Sequence, residues 1–191
     1  MLCYHEVSQT WESSLAVTPE LFRVHLRWLR RHRRLVSLAE AIERLDTSAR
    51  LPRGYAAITF DDGFTGLYDH ARLIEERVPA TVFIVAQSLA SEGVAVHWVD
   101  DPPELPLRTL SLDQVLEMQD AGVSFGSHSL AHRDLTKLSP EDCRRDLKES
   151  RELLEDLLGT RAPLVAYPGG LHTEVVKAGG ATSRIQPRVH T

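Results

Sequence analysis

The chain has 191 residues, of which 42% are apolar and 26% are charged, which is the composition of a globular domain with a sizeable core. Its net charge of −5 argues against a nucleic-acid partner, because such proteins carry strongly basic faces. No apolar run approaches the roughly 20 residues that a membrane-spanning helix needs. The two cysteines, Cys3 and Cys143, show neither a disulfide nor a metal-binding spacing.

Predicted strands and helices alternate along the chain. We predict strands at residues 2–5, 35–37, 56–60, 81–85, 123–126 and 164–167. One helix is predicted to begin at Pro19, after the N-cap Thr18, and two more are predicted to cover 38–45 and 67–77. A fourth helix is predicted to follow the N-cap Ser111 and end at Gly122. A fifth is predicted to follow the N-cap Ser139 and end at Gly159. This order predicts one α/β domain over residues 1–191, built on a parallel barrel or an open parallel sheet.

Residues 88–109 interrupt this alternation. They show no clear periodicity and contain Asp101, Pro102 and Pro103, so we interpret them as an irregular excursion that carries Trp98. A connection of this length is uncommon in a compact domain unless it is functional or mobile.

Three polar or glycine-rich clusters directly follow predicted strands. They are the segments 61–63, 128–132 and 168–170, with the sequences DDG, HSLAH and PGG. In parallel α/β folds the functional loops follow the carboxyl ends of the strands, which lie at one edge of the sheet. We therefore expect these three clusters to meet on one face.

The stretch AAITFDDGF ends an apolar strand with two adjacent carboxylates, Asp61 and Asp62. Like charges side by side cost free energy unless a cation or strong hydrogen-bond donors lie between them. One interpretation is a solvated turn, because Asp-Gly is a common turn dipeptide. The other interpretation is that a cation binds there.

A histidine pair favours the cation. In GSHSLAH, His128 and His132 lie four residues apart after a strand, and neutral imidazole is the commonest zinc ligand. Two histidines and one carboxylate supply the three protein ligands of a typical catalytic zinc site. The second carboxylate would then be left to take a proton from an attacking water.

The motifs resemble those of a known family. TFDDG at residues 59–63 and SHSLAH at 127–132 are similar to the first two signature motifs of the polysaccharide deacetylases, the NodB-homology or carbohydrate esterase 4 family. RDLTKLSPED, after the second motif, and AYPGG at 166–170 resemble the family too, the latter its third motif. LCYHEV followed by VTPELFRVHLRWL resembles the branch that includes poly-N-acetylglucosamine deacetylases. The resemblance extends from residue 2 to about 180.

The resemblance implies a deformed (β/α) barrel and metal-dependent removal of N- or O-acetyl groups from N-acetylhexosamine-containing poly- or oligosaccharides. By motif, it implies Asp61 as the general base and Asp62, His128 and His132 as ligands of a divalent metal. Zn²⁺ is the ion expected, with Co²⁺ and Ni²⁺ as alternatives.

Further residues are expected around the cleft. The turn of Tyr167, Pro168, Gly169 and Gly170 is expected to contact the substrate, with a backbone N–H facing the oxyanion. His5, at a strand end, could face the same cleft or be a hydrogen-bonded structural histidine. Trp98 could stack on a sugar ring or anchor its loop by burial.

The sequence departs from the family pattern near its third motif and after it. Ala166 stands where many members have arginine, and Gly169 stands where a tyrosine is commoner. The family continues with further strands that carry a tryptophan motif and a histidine acting as general acid. His172 and His190 lie in no matching motif and are not assigned as that acid. We therefore expect a barrel that lacks its closing strands, in a chain that is a fragment, a frameshifted product or a protein completed by another chain.

Three functions therefore remain open at this point. The first is deacetylation of an acetylated carbohydrate, and the second is deacylation of a small glycoside at the same metal site. The third is a catalytically silent module that binds sugar or a protein partner. A glycosidase is disfavoured, because adjacent carboxylates cannot flank a glycosidic bond at the roughly 5–9 Å that such enzymes need.

The location of the protein has two conflicting indications. The absence of a signal peptide favours the cytoplasm, whereas the resemblance implies the cell envelope or secretion. No oligomeric state is predicted.

Overall fold

Short strands and helices alternate in the computed structural model, which describes residues 1–48, 50 and 53–180. The strands are β1 (Leu2–Tyr4), β2 (Glu6–Val7), β3 (Ala16–Val17), β4 (Arg34–Leu35), β5 (Tyr55–Ala56), β6 (Ile58–Phe60), β7 (Ala80–Ile84) and β8 (Ser124–Ser127). The helices are α1 (Pro19–His32), α2 (Leu38–Ser48), α3 (Gly66–Asp69), α4 (Leu112–Asp120), α5 (Pro140–Leu158) and α6 (Glu174–Gly180). Short 3₁₀ turns lie at Ala86–Ser88, Leu135–Lys137 and Pro168–Gly170.

The main sheet is parallel and has the spatial order β1-β6-β7-β8. Val165 extends it by a parallel bridge to Ser127, so the predicted strand at 164–167 is reduced to a single pair of residues. All five residues of β7 are buried, as expected for a parallel strand that is covered on both faces. Because the strands are parallel, their carboxyl ends share one edge, and the three polar clusters follow that edge.

Two hydrophobic clusters hold the sheet from its opposite faces. The larger contains Ile58, Phe60 and Val82 and packs against residues of α1, α4 and α5. The second contains Phe83 and Leu164 together with residues of α2. A Cβ on Gly126 would lie 2.8 Å from the Phe83 ring and 2.9 Å from the Leu164 carbonyl oxygen, so this strand position accepts only glycine without a shift.

The predicted helix starts and the stop at Gly159 are confirmed. Thr18 Oγ1 accepts a hydrogen bond from the Leu21 N–H, and Ser111 and Gln114 form a reciprocal capping box. Ser139 caps α5, and Gly159 ends it in the left-handed conformation, with φ 63°.

The predicted helix over 67–77 is wrong in its extent. It ends at Asp69, and Arg72 and Arg77 have φ values of 53° and 48°, which interrupt any longer helix. Residues 73–77 form turns instead, and Leu73 and Val78 are both buried in the larger hydrophobic cluster.

A buried carboxyl group joins β2 to the start of α3. Glu6 is 3% exposed, and its Oε1 accepts a hydrogen bond of 2.6 Å from the Val7 N–H. A Cβ on Gly66 would lie only 1.7 Å from this Oε1, so the close approach requires glycine. Burial raises the pKa of Glu6 to about 8, against the backbone N–H hydrogen bonds that favour its ionised form.

Among the described helices, none combines the length and the apolar composition that crossing a membrane requires.

Candidate metal and catalytic site

Asp62, His128 and His132 converge at the carboxyl edge of the main sheet. One ligand atom from each lies within 4.8 Å of the others. Asp62 Oδ1 is 3.2 Å from His132 Nε2 and 3.7 Å from His128 Nε2. The side chains of Asp62 and His128 are 5% and 3% exposed, and that of His132 is 18% exposed. This donor set fits a divalent ion of the zinc type, because it offers two imidazoles and a carboxylate at a buried point.

A backbone turn separates the two adjacent carboxylates. The Asp61 N–H still donates to the Tyr4 carbonyl, as a continuation of the ladder between β1 and β6. Asp62 then adopts φ 68° and Gly63 φ 70°, and the Gly63 N–H donates to the Asp61 carbonyl at 2.9 Å. The left-handed turn thus re-aims the chain between Asp61 and Asp62, and Asp62 points to the histidines.

His128 is held by two backbone contacts. Its N–H donates to the Ile84 carbonyl at 2.7 Å, and its Nδ1 lies 3.0 Å from the carbonyl oxygen of Ala166. Because a carbonyl oxygen only accepts hydrogen bonds, Nδ1 carries the proton and Nε2 keeps its lone pair. The free lone pair is on the nitrogen that faces Asp62.

Serine hydroxyls shape the loop that carries His132. Ser129 Oγ accepts from the His132 N–H at 3.0 Å, and Ser127 Oγ accepts from the Ser129 N–H at 3.1 Å. The Ser127 hydroxyl also lies 2.7 Å from that of Ser150 on α5. These contacts hold Ser129 and His132 in the left-handed region, with φ values of 67° and 53°.

Asp146 on α5 supports the same loop and was missed by the sequence analysis. Its side chain is fully buried, with Oδ1 accepting from the Leu130 N–H at 2.8 Å and Oδ2 from Arg133 at 2.9 Å. A signal was available, because Asp146 lies beside Cys143, Leu147 and Ser150 on the helix face that packs inward. A carboxylate on such a face requires partners.

We expect Asp146→Ala to lower the free energy of unfolding by about 3 kcal/mol, because it leaves the buried Leu130 N–H without an acceptor and removes a buried carboxylate. Asp146→Asn keeps that acceptor, and Arg133 is 51% exposed and can turn to solvent, so this variant should lose only about 1 kcal/mol. Urea unfolding measures both values. Asp156→Ala, at an exposed position of α5, is the control, and equal losses in all three variants would contradict the role of Asp146.

The electrostatics of the cluster favour a negative Asp62 and a neutral His128. Burial opposes ionisation of Asp62, but the hydrogen bond from His132 and the electrostatic attraction of the carboxylate to the His128, His132 and His5 rings outweigh it and lower the pKa of the carboxyl group. Burial lowers the pKa of His128, against the opposing effect of Asp61 and Asp62. Both protonation states are those that a metal requires.

Asp61 and His5 lie next to the cluster. Tyr4 pairs with Phe60 in the sheet, so the residues that follow them, His5 and Asp61, leave the same edge side by side. The charge of Asp61 acts on the pKa of His128, which puts the carboxylate within electrostatic reach of the ligands. Both side chains are partly exposed to solvent.

The turn of residues 167–170 follows Ala166, whose carbonyl orients His128. Gly169 and Gly170 have φ values of 62° and 67°, which suit glycine. The Gly170 N–H donates to the Tyr167 carbonyl at 2.9 Å. The Tyr167 ring packs against the small cluster around Cys143 and Val165 and thereby anchors the turn.

Trp98 reaches Asp62 and His132 from the excursion predicted at 88–109. Its Nε1–H donates to Asp62 Oδ1 at 2.9 Å, and its ring stacks on that of His132, with centroids 5.4 Å apart and an angle of 23°. The sequence pointed to the residue but gave no sign of these two partners.

The histidines after the third motif do not join the cluster within the described residues. His172 is exposed, and its Nδ1 lies 3.0 Å from the Gly170 carbonyl oxygen. His190 lies outside the described residues.

A family model and one curated relative match most of the chain. The model described as polysaccharide deacetylase matches residues 48–183. YxkH of Bacillus subtilis (strain 168), named as a polysaccharide deacetylase, is 27% identical over 177 residues, which cover 91% of this chain and 57% of YxkH. The chain therefore spans little more than half the length of this relative.

Solved structures of deacetylases share the fold. The Streptococcus pyogenes deacetylase PplD in complex with acetate is 25% identical with a TM-score of 0.79, and IcaB from Ammonifex degensii is 26% identical with a TM-score of 0.76. Each alignment covers 95% of this chain and 78% of the solved chain. A de-N-acetylase from Aggregatibacter actinomycetemcomitans has a similar fold, with a TM-score of 0.77 and 19% identity. That alignment covers 95% of this chain and 83% of the solved chain. These likenesses confirm the predicted α/β fold of the deacetylase type, and the chain belongs to the polysaccharide deacetylase family.

Proposed function

We propose that this domain is a metal-dependent hydrolase that removes acetyl groups from N-acetylhexosamine units of a poly- or oligosaccharide. One observation carries the proposal: Asp62, His128 and His132 converge at a buried point beside a second carboxylate, Asp61. Membership of the deacetylase family supports it. PplD, a deacetylase of the same fold, binds acetate, which is the product of such a reaction.

In this proposal Asp62, His128 and His132 hold a divalent ion, with Zn²⁺ expected first and Co²⁺ or Ni²⁺ as alternatives. Such an ion, when bound, would polarise the acyl carbonyl group and lower the pKa of a water molecule. Three protein ligands leave positions open for water and substrate.

Asp61 is the general base of the proposed reaction. It lies at the same strand end as Asp62, but its carboxylate is not among the three that converge within 4.8 Å of one another. Its carboxylate would accept a proton from the attacking water as the new C–O bond forms. Return of that proton from Asp61 to the amide nitrogen as the C–N bond breaks would release acetate and leave a free amine on the sugar. His5, beside Asp61, borders this cleft.

A backbone N–H in the turn of residues 167–170 would stabilise the oxyanion. Pro168 has no N–H, and that of Gly170 donates within the turn. The N–H groups of Tyr167 and Gly169 are therefore the ones we propose for this contact. The left-handed conformation of Gly169 allows the backbone to approach a ligand closely.

A catalytically silent module that binds sugar or a protein partner is the second candidate. It is favoured by His172, because this histidine, which follows the third motif, contacts the Gly170 carbonyl and stacks on Tyr167. The described residues after that motif therefore offer no histidine in the position that a general acid would need. Such a module would bind metal and ligand without turnover.

Zinc calorimetry on the full chain tests the proposal. We expect one-to-one binding by the wild type, loss of binding in Asp62→Ala and His128→Ala, and unchanged binding in the control His32→Ala, an exposed position of α1. Wild-type chain that binds no zinc, Co²⁺ or Ni²⁺ would contradict the metal site. Where zinc binds, acetate release from N-acetylglucosamine oligomers and from a small acetylated glycoside separates the polymer deacetylase, the small-glycoside enzyme and the silent module.

A further inference from the structure

Trp98 makes two different contacts with two different proposed ligands. The indole N–H donates to Asp62 Oδ1, which is also the oxygen nearest to both histidine Nε2 atoms. The indole face lies nearly parallel to the imidazole of His132, at an angle of 23°. One side chain thus fixes the orientation of a carboxylate and of an imidazole.

Both contacts are compatible with a bound ion. An indole N–H is only a donor, so it cannot replace a ligand, and a carboxylate oxygen can accept a hydrogen bond while it binds a cation. A metal binds histidine in the plane of the ring, whereas Trp98 covers the face of His132 and does not block the approach of an ion to its Nε2. Contacts of this kind around ligands raise metal affinity by holding the ligands in place.

We propose that Trp98 is a positioning residue that holds Asp62 and His132 in their metal-binding orientations, an inference that rests on the metal site proposed above. The N–H keeps Oδ1 pointed at the histidines, and the stacked ring limits rotation of His132. Without Trp98 the Asp62 side chain would be freer to rotate, and binding would have to restore its orientation.

Contacts along the excursion of residues 88–109 hold Trp98 in place. Its two arms pair through Ala95 and Arg108, and the Val96 N–H donates to the Leu107 carbonyl at 2.9 Å. Near the tip, Trp11 Nε1–H donates to the Asp101 carbonyl at 3.1 Å, which ties the excursion to the loop between β2 and β3. Trp98 lies between these two attachments.

Simple anchoring of the loop does not account for Trp98. A residue that only anchors needs apolar burial, but Trp98 remains partly exposed and directs its polar atom to a proposed ligand. The loop has separate attachments in Arg108, which donates to the Gly93 carbonyl, and in Trp11. Anchoring and positioning therefore predict different results for substitutions of Trp98 and Trp11.

The test compares zinc affinity among variants of the full chain by calorimetry. Trp98→Phe keeps a stacked ring and loses only the N–H, and we expect it to weaken zinc binding by about 10- to 100-fold. Trp98→Ala should weaken it at least as much. Trp11→Phe, which frees the tip, and Trp28→Phe, at an exposed position of α1, should stay within about threefold of the wild type. Zinc should also change the tryptophan fluorescence of the wild type and of Trp28→Phe, and this change should be absent from Trp98→Phe.

The outcomes separate this inference from the proposed function. Wild-type chain that binds no metal overturns the metal site and the role of Trp98 with it. Wild-type binding with equal affinity in Trp98→Phe overturns the role of Trp98 alone. An equal loss of affinity in Trp11→Phe and Trp98→Phe would also overturn it, because order of the loop, and not the N–H to Asp62, would then decide the affinity.

Discussion

Asp61→Asn should reduce acetate release by about 10²- to 10⁴-fold while its zinc affinity stays within about threefold of the wild type. The amide has nearly the shape of the carboxylate but cannot take a proton from the attacking water. Of the two carboxylates, only Asp62 converges with the histidines, so we expect the change at Asp61 to spare zinc binding. The measurements are steady-state acetate release and zinc calorimetry on the same preparation.

Two further variants serve as comparisons for Asp61→Asn. Asp62→Asn should lose zinc affinity as well as activity, whereas Asp113→Asn, at an exposed position of α4, should change neither. If Asp61→Asn instead abolished zinc binding, Asp61 would itself be a ligand. If Asp61→Asn kept full activity, another residue would act as the base.

Glu6 should make the stability of the domain depend on pH. Its pKa is raised to about 8 in the folded protein by burial, from an ordinary value of 4.5. The folded state therefore favours the protonated form, and the contribution of Glu6 to stability is fully present below pH 4.5 and is lost as the pH rises through 8. Between pH 5 and pH 9 the free energy of unfolding should fall by on the order of 4 kcal/mol relative to Glu6→Gln.

The experiment is urea unfolding at several pH values. Glu6→Gln keeps an oxygen that can accept from the Val7 N–H, so it removes the titration while retaining the hydrogen bond. Glu12→Gln, an exposed carboxylate on the following loop, is the matched control. A difference between wild type and Glu6→Gln that is constant across this pH range would show that Glu6 does not titrate between the two states.

Sequence patterns predicted the features whose causes are local. The N-caps Thr18, Ser111 and Ser139 were predicted correctly because each hydroxyl bonds to an N–H only three residues away. The meeting of the DDG and HSLAH segments was also predictable, because parallel strands bring the loops after them to one edge.

Contacts between distant residues were not predictable. The helix over 67–77 failed because Arg72 and Arg77 adopt left-handed conformations, while Leu73 and Val78 are buried in a cluster whose other members come largely from distant parts of the chain. Nothing in the sequence pairs Trp98 with Asp62, which lies 36 residues away, since either could have faced solvent. The support of the His132 loop by Asp146 depends in the same way on how α5 lies against β8.

The ligand loops have a consequence for how metal and folding are coupled. Asp62, Ser129 and His132 adopt left-handed backbone conformations that cost of order 1 kcal/mol or more each. Hydrogen bonds to Ser127, Ser129 and Asp146 hold the histidine loop in this state. The free energy that preorganises the site thus comes from folding of the framework. A chelator should accordingly strip the ion and leave circular dichroism unchanged, and returning the ion should restore the site without a refolding phase, in contrast to a zinc finger.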